Sequence, residues 1–342
     1  MQKPLCLTSL SLEDLEDWMK SKGEPAYRAR QVFKWVYKLG KSDFSEFTDL
    51  PYGLRKKLAL DFIINPLKME QKVSSQDGTT RYLFRLPDGC FVETVLIPAG
   101  RRKTACLSTQ VGCKFHCAFC ASGLNGFKRN LTSGEIVSQV LALKHQFGHD
   151  ITNLVFMGMG EPLDNLDNVL RAIRILNYEQ GLAFGARRMT VSTAGVTPGI
   201  KKMKDFELQV NLSISIHSPF DRKRSELMPI NKKYPLTDLI LGAEDYLESG
   251  GRQLTLEYIV IRKQNDSLYD AEGLAATARR LKAKVNLIAW SPVAALPYER
   301  PAAEEMTRFE KWLKERKVRV VVRKSKGIEI AAACGQLAGR FE

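Results

Sequence analysis

Several things are missing from this chain of 342 residues, and each absence narrows its class. No apolar run approaches the roughly 20 residues that a membrane-crossing helix needs. The N-terminus has no signal-peptide pattern, so a cytoplasmic protein is expected. Seven cysteines are too few for a disulfide framework at this length, and three of them crowd together between positions 113 and 120. That usage suits a reducing compartment and metal or catalytic work. Acidic residues are in deficit, 38 against 52 Lys and Arg, which leaves a net charge of +14 and favours a polyanionic partner, most simply nucleic acid. No internal repeat or low-complexity segment is present.

What is present divides into three regions. Residues 1–66 read as helical. Ser11 and Asp14 form a capping box ahead of Leu12, Leu15 and Met19, which share one helix face. Pro25 suits the first position of a second helix. There Val32, Phe33 and Val36 point inward, and Arg30, Lys34 and Lys38 align as an outer stripe. A third helix carries Leu54, Leu58 and Phe62 inward, with Arg55, Lys56 and Lys57 exposed. Such cations suit a phosphate-contacting face. Residues 67–98 read as a β-meander whose turns are Asp77-Gly78 and Asp88-Gly89, with Glu93 in its last strand.

Residues 99–342 alternate strand and helix, the pattern of a parallel α/β architecture. Strands are expected at Thr104–Ser108, Asn153–Met157, Arg188–Ser192, Gln209–Ile216, Thr255–Val260 and Val285–Ile288. Helices are expected between them, the clearest opening at the Thr132/Glu135 capping box. Six βα units fall short of an eight-unit barrel, so an open, partial barrel is expected. Asn211, Ser213, Ser215 and His217 alternate with apolar residues, which places a polar face on one side of that strand. Thr190 with Ser192, Thr255 with Glu257, and Thr104 with Cys106 and Ser108 repeat the pattern. A lumen lined this way suits a polar cofactor and substrate.

Cys113, Cys117 and Cys120 follow the first barrel strand at intervals of four and three residues. Three thiolates can hold a 4Fe-4S cluster and leave one iron open for chemistry. Spacing alone also serves a zinc ion, with His116 or a distant residue as fourth ligand. The second strand runs into Gly158-Met159-Gly160-Glu161-Pro162. Its glycines allow a ligand close to the backbone, and Glu161 offers a carboxylate to an ammonium group.

The Cys-x3-Cys-x2-Cys loop, with Phe119 before its last cysteine, resembles the radical S-adenosylmethionine superfamily. More narrowly, five segments occur in the order of the RlmN/Cfr family of adenosine methyltransferases. They are Ser108–Cys113, Gly126–Leu131, Gly158–Pro162, Met228–Asn231 and Ala332–Leu337. The resemblance spans nearly the whole chain and implies a helical RNA-binding accessory domain, a meander extension and a partial (β/α)6 barrel. It implies a 4Fe-4S cluster on Cys113, Cys117 and Cys120, and two S-adenosylmethionine molecules per turnover. Phe119, Gly160, Glu161, Ser192, Ser215, Ile216, His217 and Ser291 would contact that cofactor. At the last of these positions the family commonly carries Asn, and serine has a shorter reach.

The resemblance also assigns catalysis. Cys334 would carry the methyl group, Cys106 would resolve the product by forming a disulfide with Cys334, and Glu93 would accept a proton. Cys6 and Cys90 match nothing catalytic and read as structural. The implied partners are 23S rRNA, tRNA, and a flavodoxin or ferredoxin as electron donor, with a monomer expected. Phe127–Leu131 and Val322–Gly327 look more like the carbon-2 enzymes than the carbon-8 enzymes of the family.

Overall fold

The computed structural model describes residues 4–124 and 126–339. At the N-terminal end, strand β1 (Leu5–Cys6) lies parallel to β2 (Phe62–Ile63), and three helices fall between them. Helix α1 (Leu12–Ser21) has the expected capping box: Ser11 Oγ accepts from the Asp14 amide at 3.1 Å, and Asp14 accepts from the Ser11 amide at 2.7 Å. Helix α2 (Tyr27–Phe33) widens into a π-helical turn over Lys34–Lys38. Its start is two residues later than the sequence pattern placed it, because Pro25 lies in the turn before it. Arg30, Lys34 and Lys38 are exposed as expected. Helix α3 (Tyr52–Asp61) buries Leu54 and Leu58 and stops before Phe62. Of its cations only Lys56 is exposed; Lys57 pairs with Glu24 and Arg55 donates to the Ser45 carbonyl.

The meander consists of β3 (Lys68–Ser74), β4 (Thr80–Arg85) and β5 (Phe91–Ala99), all antiparallel. Both turn glycines, Gly78 and Gly89, have φ of 82°, a left-handed conformation that side chains disfavour. Asp77 and Asp88 each accept a hydrogen bond from the amide two residues on. Strand β5 then pairs antiparallel with β6 (Arg102–Cys106), so the meander and the barrel strands share one sheet.

From β6 the sheet is parallel through β9 (Asn153–Phe156), β10 (Met189–Thr193), β11 (Asn211–Ser215), β12 (Thr255–Val260), β13 (Lys284–Ala289) and β14 (Val320–Arg323). The intervening β7 (Gln110–Gly112) and β8 (Phe127–Asn130) form a separate antiparallel pair that closes the base of the cysteine loop. A Cβ at Gly112 would sit 1.8 Å from the Gly126 carbonyl oxygen, so only glycine fits there. Six βα units are present, with helices α4 (Ser133–Leu141), α5 (Leu166–Asn177), α6 (Thr197–Lys204), α7 (Asp221–Leu227), α8 (Leu236–Glu248), α9 (Leu268–Arg280) and α10 (Ala303–Glu315). The seventh parallel strand, β14, was not among the expected strands. The sheet order runs from β14 to β3 without closing, as an open barrel requires.

The main core lies between the sheet and the helices, where residues such as Leu212, Leu256, Val169 and Ile173 are fully buried. Burial of that apolar area is the chief stabilising term. Polar residues on the other face are left for the site. No helix among the described residues is long and apolar enough to cross a membrane.

Candidate active site

Cys113, Cys117 and Cys120 line one cavity at the C-terminal ends of the parallel strands. Their loop is fastened by Cys113 N–H to the Gly126 carbonyl (3.2 Å) and Ala118 N–H to the Leu227 carbonyl (2.9 Å). Burial pushes the Cys113 thiol up to about 12 and raises Cys117 and Cys120 as well. A metal centre would replace those protons, and three half-buried thiols around one cavity fit a 4Fe-4S cluster with an open iron. Among the described residues, no three His, Cys, Asp or Glu side chains close on one point as around a single metal ion. His116 does not line the cavity; its Nδ1 lies 2.9 Å from the Gly123 carbonyl oxygen.

The facing wall comes from the end of β9. Gly160 has φ of 96°, and a Cβ there would meet the Gln110 side chain at 2.5 Å. Gln110 is fully buried; its Nε2 donates to Asn130 and Asp164 at 2.9 Å, and its Oε1 accepts from the Glu161 amide at 2.9 Å. The Glu161 carboxylate accepts from the amides of Ala194 (2.7 Å) and Leu163 (3.0 Å). Burial nevertheless lifts its pKa to about 7, the desolvation cost outweighing those hydrogen bonds.

Ser192, Ser215 and His217 complete the polar wall, as the alternating pattern anticipated. His217 lies beyond the end of β11, however, with φ of 51° rather than an extended backbone. Its Nδ1 accepts from the Ile259 amide at 3.0 Å, which leaves Nε2 as the donor of a neutral ring. Burial holds its pKa down to about 3. The Phe119 ring stands edge-on to it, with centroids 4.8 Å apart.

A second cavity adjoins the first. Cys106 and Lys326 line only this second one, while Cys120, Met157, Arg323 and Cys334 line both. Cys106 sits in a small apolar cluster with Val95, Met159, Ala332 and Leu337, and burial pushes its thiol up to about 12. Cys334 is exposed. Glu93 lies outside both walls; it is buried, pairs with Arg81 at 3.0 Å and accepts from the Gly339 amide at 2.8 Å.

The radical SAM superfamily profile matches residues 107–272, and the ribosomal RNA large subunit methyltransferase N-terminal domain matches residues 6–64. A "Probable dual-specificity RNA methyltransferase RlmN" of Bacillus cereus (strain B4264) is 44% identical over 340 residues, covering 98% of this chain and 94% of the relative. Its counterpart in Bacillus thuringiensis (strain Al Hakam) is 45% identical over 332 residues, covering 96% and 92%. A crystal structure of a radical SAM methyltransferase from Sphaerobacter thermophilus superposes with a TM-score of 0.95 at 44% identity, covering 98% of this chain and 100% of that one. This chain belongs to the RlmN family of radical SAM methyltransferases. The FeFe-hydrogenase maturase HydG, with a TM-score of 0.51 at 15% identity and 66% of this chain covered, shares the fold alone.

Two expected contacts of this RlmN-family chain fall elsewhere. The Ile216 side chain is packed in the apolar core, because at the end of β11 it points opposite to Ser215. Ser291 is buried but does not line the cavity; Arg300 donates to its hydroxyl at 3.4 Å. One further group, Arg224, was not foreseen. Arg224 is wholly buried and donates to the carbonyls of Ile216 (3.1 Å), Ser215 (3.2 Å) and Ala194 (2.6 Å) and to Asn231 Oδ1 (2.7 Å). It ties together the chain leaving β10 and β11, and burial lowers its pKa to about 10, still charged at neutral pH. Glu257 lines the cavity and accepts from Asn286 at 2.9 Å, with Arg323 at 3.5 Å. The alternating polar pattern of β12 places it on the lumen side, as found.

Proposed function

We propose that this RlmN-family protein methylates carbon 2 of an adenosine in 23S rRNA and in tRNA, through a methyl group carried on Cys334. The observation that carries this reading is that Cys334 and Cys120 lie on the wall common to two adjoining cavities, one of which also bears Cys113 and Cys117 and the other Cys106. Carbon 2 of adenine is electron-poor, so an ordinary polar methyl transfer does not suit it.

Cys113, Cys117 and Cys120 would hold the cluster, and Gly160 and Glu161 would take the amino end of S-adenosylmethionine. Ser192, Ser215 and His217 would contact the rest of it, beside Phe119. When bound, these groups supply a one-electron cleavage that removes a hydrogen atom from an unactivated carbon. Two S-adenosylmethionine molecules serve each turnover, one as methyl source and one as oxidant. Electrons come from a donor of the flavodoxin or ferredoxin class, and the protein acts as a cytoplasmic monomer.

Cys334 Sγ first accepts a methyl group. Once that methyl has lost a hydrogen, its carbon bonds to carbon 2 of the adenine, joining protein and RNA. Glu93 accepts the proton released from carbon 2, and the unpaired electron left in the adduct departs to a one-electron acceptor, a role that a cluster on the three loop cysteines would supply. The Cys106 thiolate then attacks Cys334 Sγ: the S–S bond forms, the S–C bond breaks, and its electron pair leaves with the base carbon, which takes up a proton. Adjoining cavities that share the Cys334 wall suit this order of events.

The test is to digest RNA treated with the reconstituted protein and identify the modified nucleoside. 2-Methyladenosine is expected. 8-Methyladenosine would overturn the carbon assignment, and unmodified adenosine would overturn the reading itself.

A further inference from the structure

Cys334 belongs to a segment gripped at both ends, and one of its grips comes from the far edge of the sheet. The backbone is left-handed at Gly327 (φ 66°), Ala331 (51°), Gly335 (84°) and Gly339 (63°), a corner at every fourth residue. Beyond Cys334, the cysteine loop holds the segment: Ala121 N–H donates to the Gly335 carbonyl and Ser122 Oγ donates to the Leu337 carbonyl, both at 2.7 Å. Before Cys334, the partner is the β3–β4 turn. Asp77 Oδ2 accepts from the Gly327 amide at 3.0 Å, while its Oδ1 accepts from the Thr79 amide at 2.8 Å within the turn. Glu329 reaches back to accept from Ser75 Oγ and, at 3.3 Å, from the Gln76 amide. A Cβ at Gly327 would stand 2.8 Å from Thr79 Cγ2, so turn and segment are in close contact.

We propose that the β3–β4 turn is a fixed post that positions Cys334 between its two cavities, with Asp77 and Glu329 as the positioning residues. This rests on the reading of Cys334 as the methyl carrier. A sulfur that must serve two cavities needs its segment anchored outside both of them. The hairpin qualifies because it is part of the continuous sheet that carries Cys106 on β6. Misplacement of a reacting atom by about 1 Å costs up to ~100-fold in rate, so a grip made outside the cavities can govern turnover.

Asp77→Asn separates the two jobs of this side chain. Its oxygen still serves the Thr79 amide and preserves the turn, but its NH₂ group faces the Gly327 amide and cannot accept from it. In the reconstituted holoenzyme, amide exchange over residues 327–333 should quicken several-fold, with cluster content and melting temperature unchanged. Turnover of RNA should fall about tenfold or more, with KM for RNA and for S-adenosylmethionine unchanged. Glu329→Ala should act in the same direction. Unchanged exchange in both variants, or quickened exchange with undiminished turnover, would overturn the proposal. A loss of turnover accompanied by lower melting temperature or cluster content would also overturn it, as a merely structural role. If wild-type Cys334 carries no methyl group by mass spectrometry, the carrier reading fails, whatever the exchange data show.

Discussion

Arg81 and Glu93 face each other from adjacent strands at 3.0 Å, and both are almost wholly withdrawn from solvent. Burying two charges is costly unless each keeps its partner, so removing only one is the severe change. Arg81→Met should therefore destabilise the protein by about 3–5 kcal/mol, read by chemical denaturation. The double variant Arg81→Met/Glu93→Gln should recover much of that stability and remain inactive. A single variant as stable as wild type would show that the pair is not closed in solution.

The Glu161 carboxyl makes a prediction about protons. Its pKa is raised by burial from an ordinary 4.5 to about 7, so the folded, ligand-free protein holds a proton there that the unfolded chain has lost. Stability from this group therefore falls as pH rises from 4.5 to about 7 and is level above that. An ammonium group beside Glu161 favours the ionised form. Binding of S-adenosylmethionine should release a proton near pH 6, with affinity falling about tenfold per pH unit below 7. Calorimetry in buffers of different ionisation enthalpy reads this directly. Equal affinity at pH 6 and pH 8 would remove Glu161 from the ammonium site.

The two sulfurs of the proposed relay should fail in different ways. Cys334→Ala should retain cluster absorbance and lose RNA methylation entirely. Cys106→Ala should accumulate a covalent protein–RNA species, seen as a slow-migrating band that nuclease removes. Full methylation by either variant contradicts the relay.

Arg30, Lys34 and Lys38 remain exposed along α2 and its π turn, with Arg30 3.7 Å from Glu16. Neutralising all three should lower the slope of log affinity against log salt by about two to three, at roughly 0.7–0.9 per phosphate contact. Filter binding across a salt series checks it. A slope that does not move means this face does not meet RNA.

Local signals were the most legible part of the chain. The capping boxes at Ser11/Asp14 and Thr132/Glu135 depend only on residues three apart, and both formed as read. The aspartyl-glycine turns and the polar alternation that places Ser192 and Ser215 on the cavity wall were equally local. Arg224 was not legible, because its surroundings in sequence, Asp221 to Glu226, resemble a solvated helix. Its burial is decided by the carbonyls of Ala194, Ser215 and Ile216, brought to it by two strand ends. The seventh barrel strand escaped for a similar reason. Val320–Arg323 is four residues set among cations, and only pairing with β13 makes it a strand. Lys57 and Arg55 also read as surface charges until Glu24 and the Ser45 carbonyl arrived from other segments.

Arg323 on β14 and Cys106 on β6 line the same cavity, although five strands lie between them in the sheet order. The curvature that unites them can be complete only when every intervening strand has paired. During synthesis, then, the trough that would receive a nucleobase stays unfinished until β14 and the Cys334 segment have emerged from the ribosome. On the proposed relay, a nascent chain halted before that point lacks Cys334, the sulfur that would bear the methyl group, and so would not become tethered to the RNA around it.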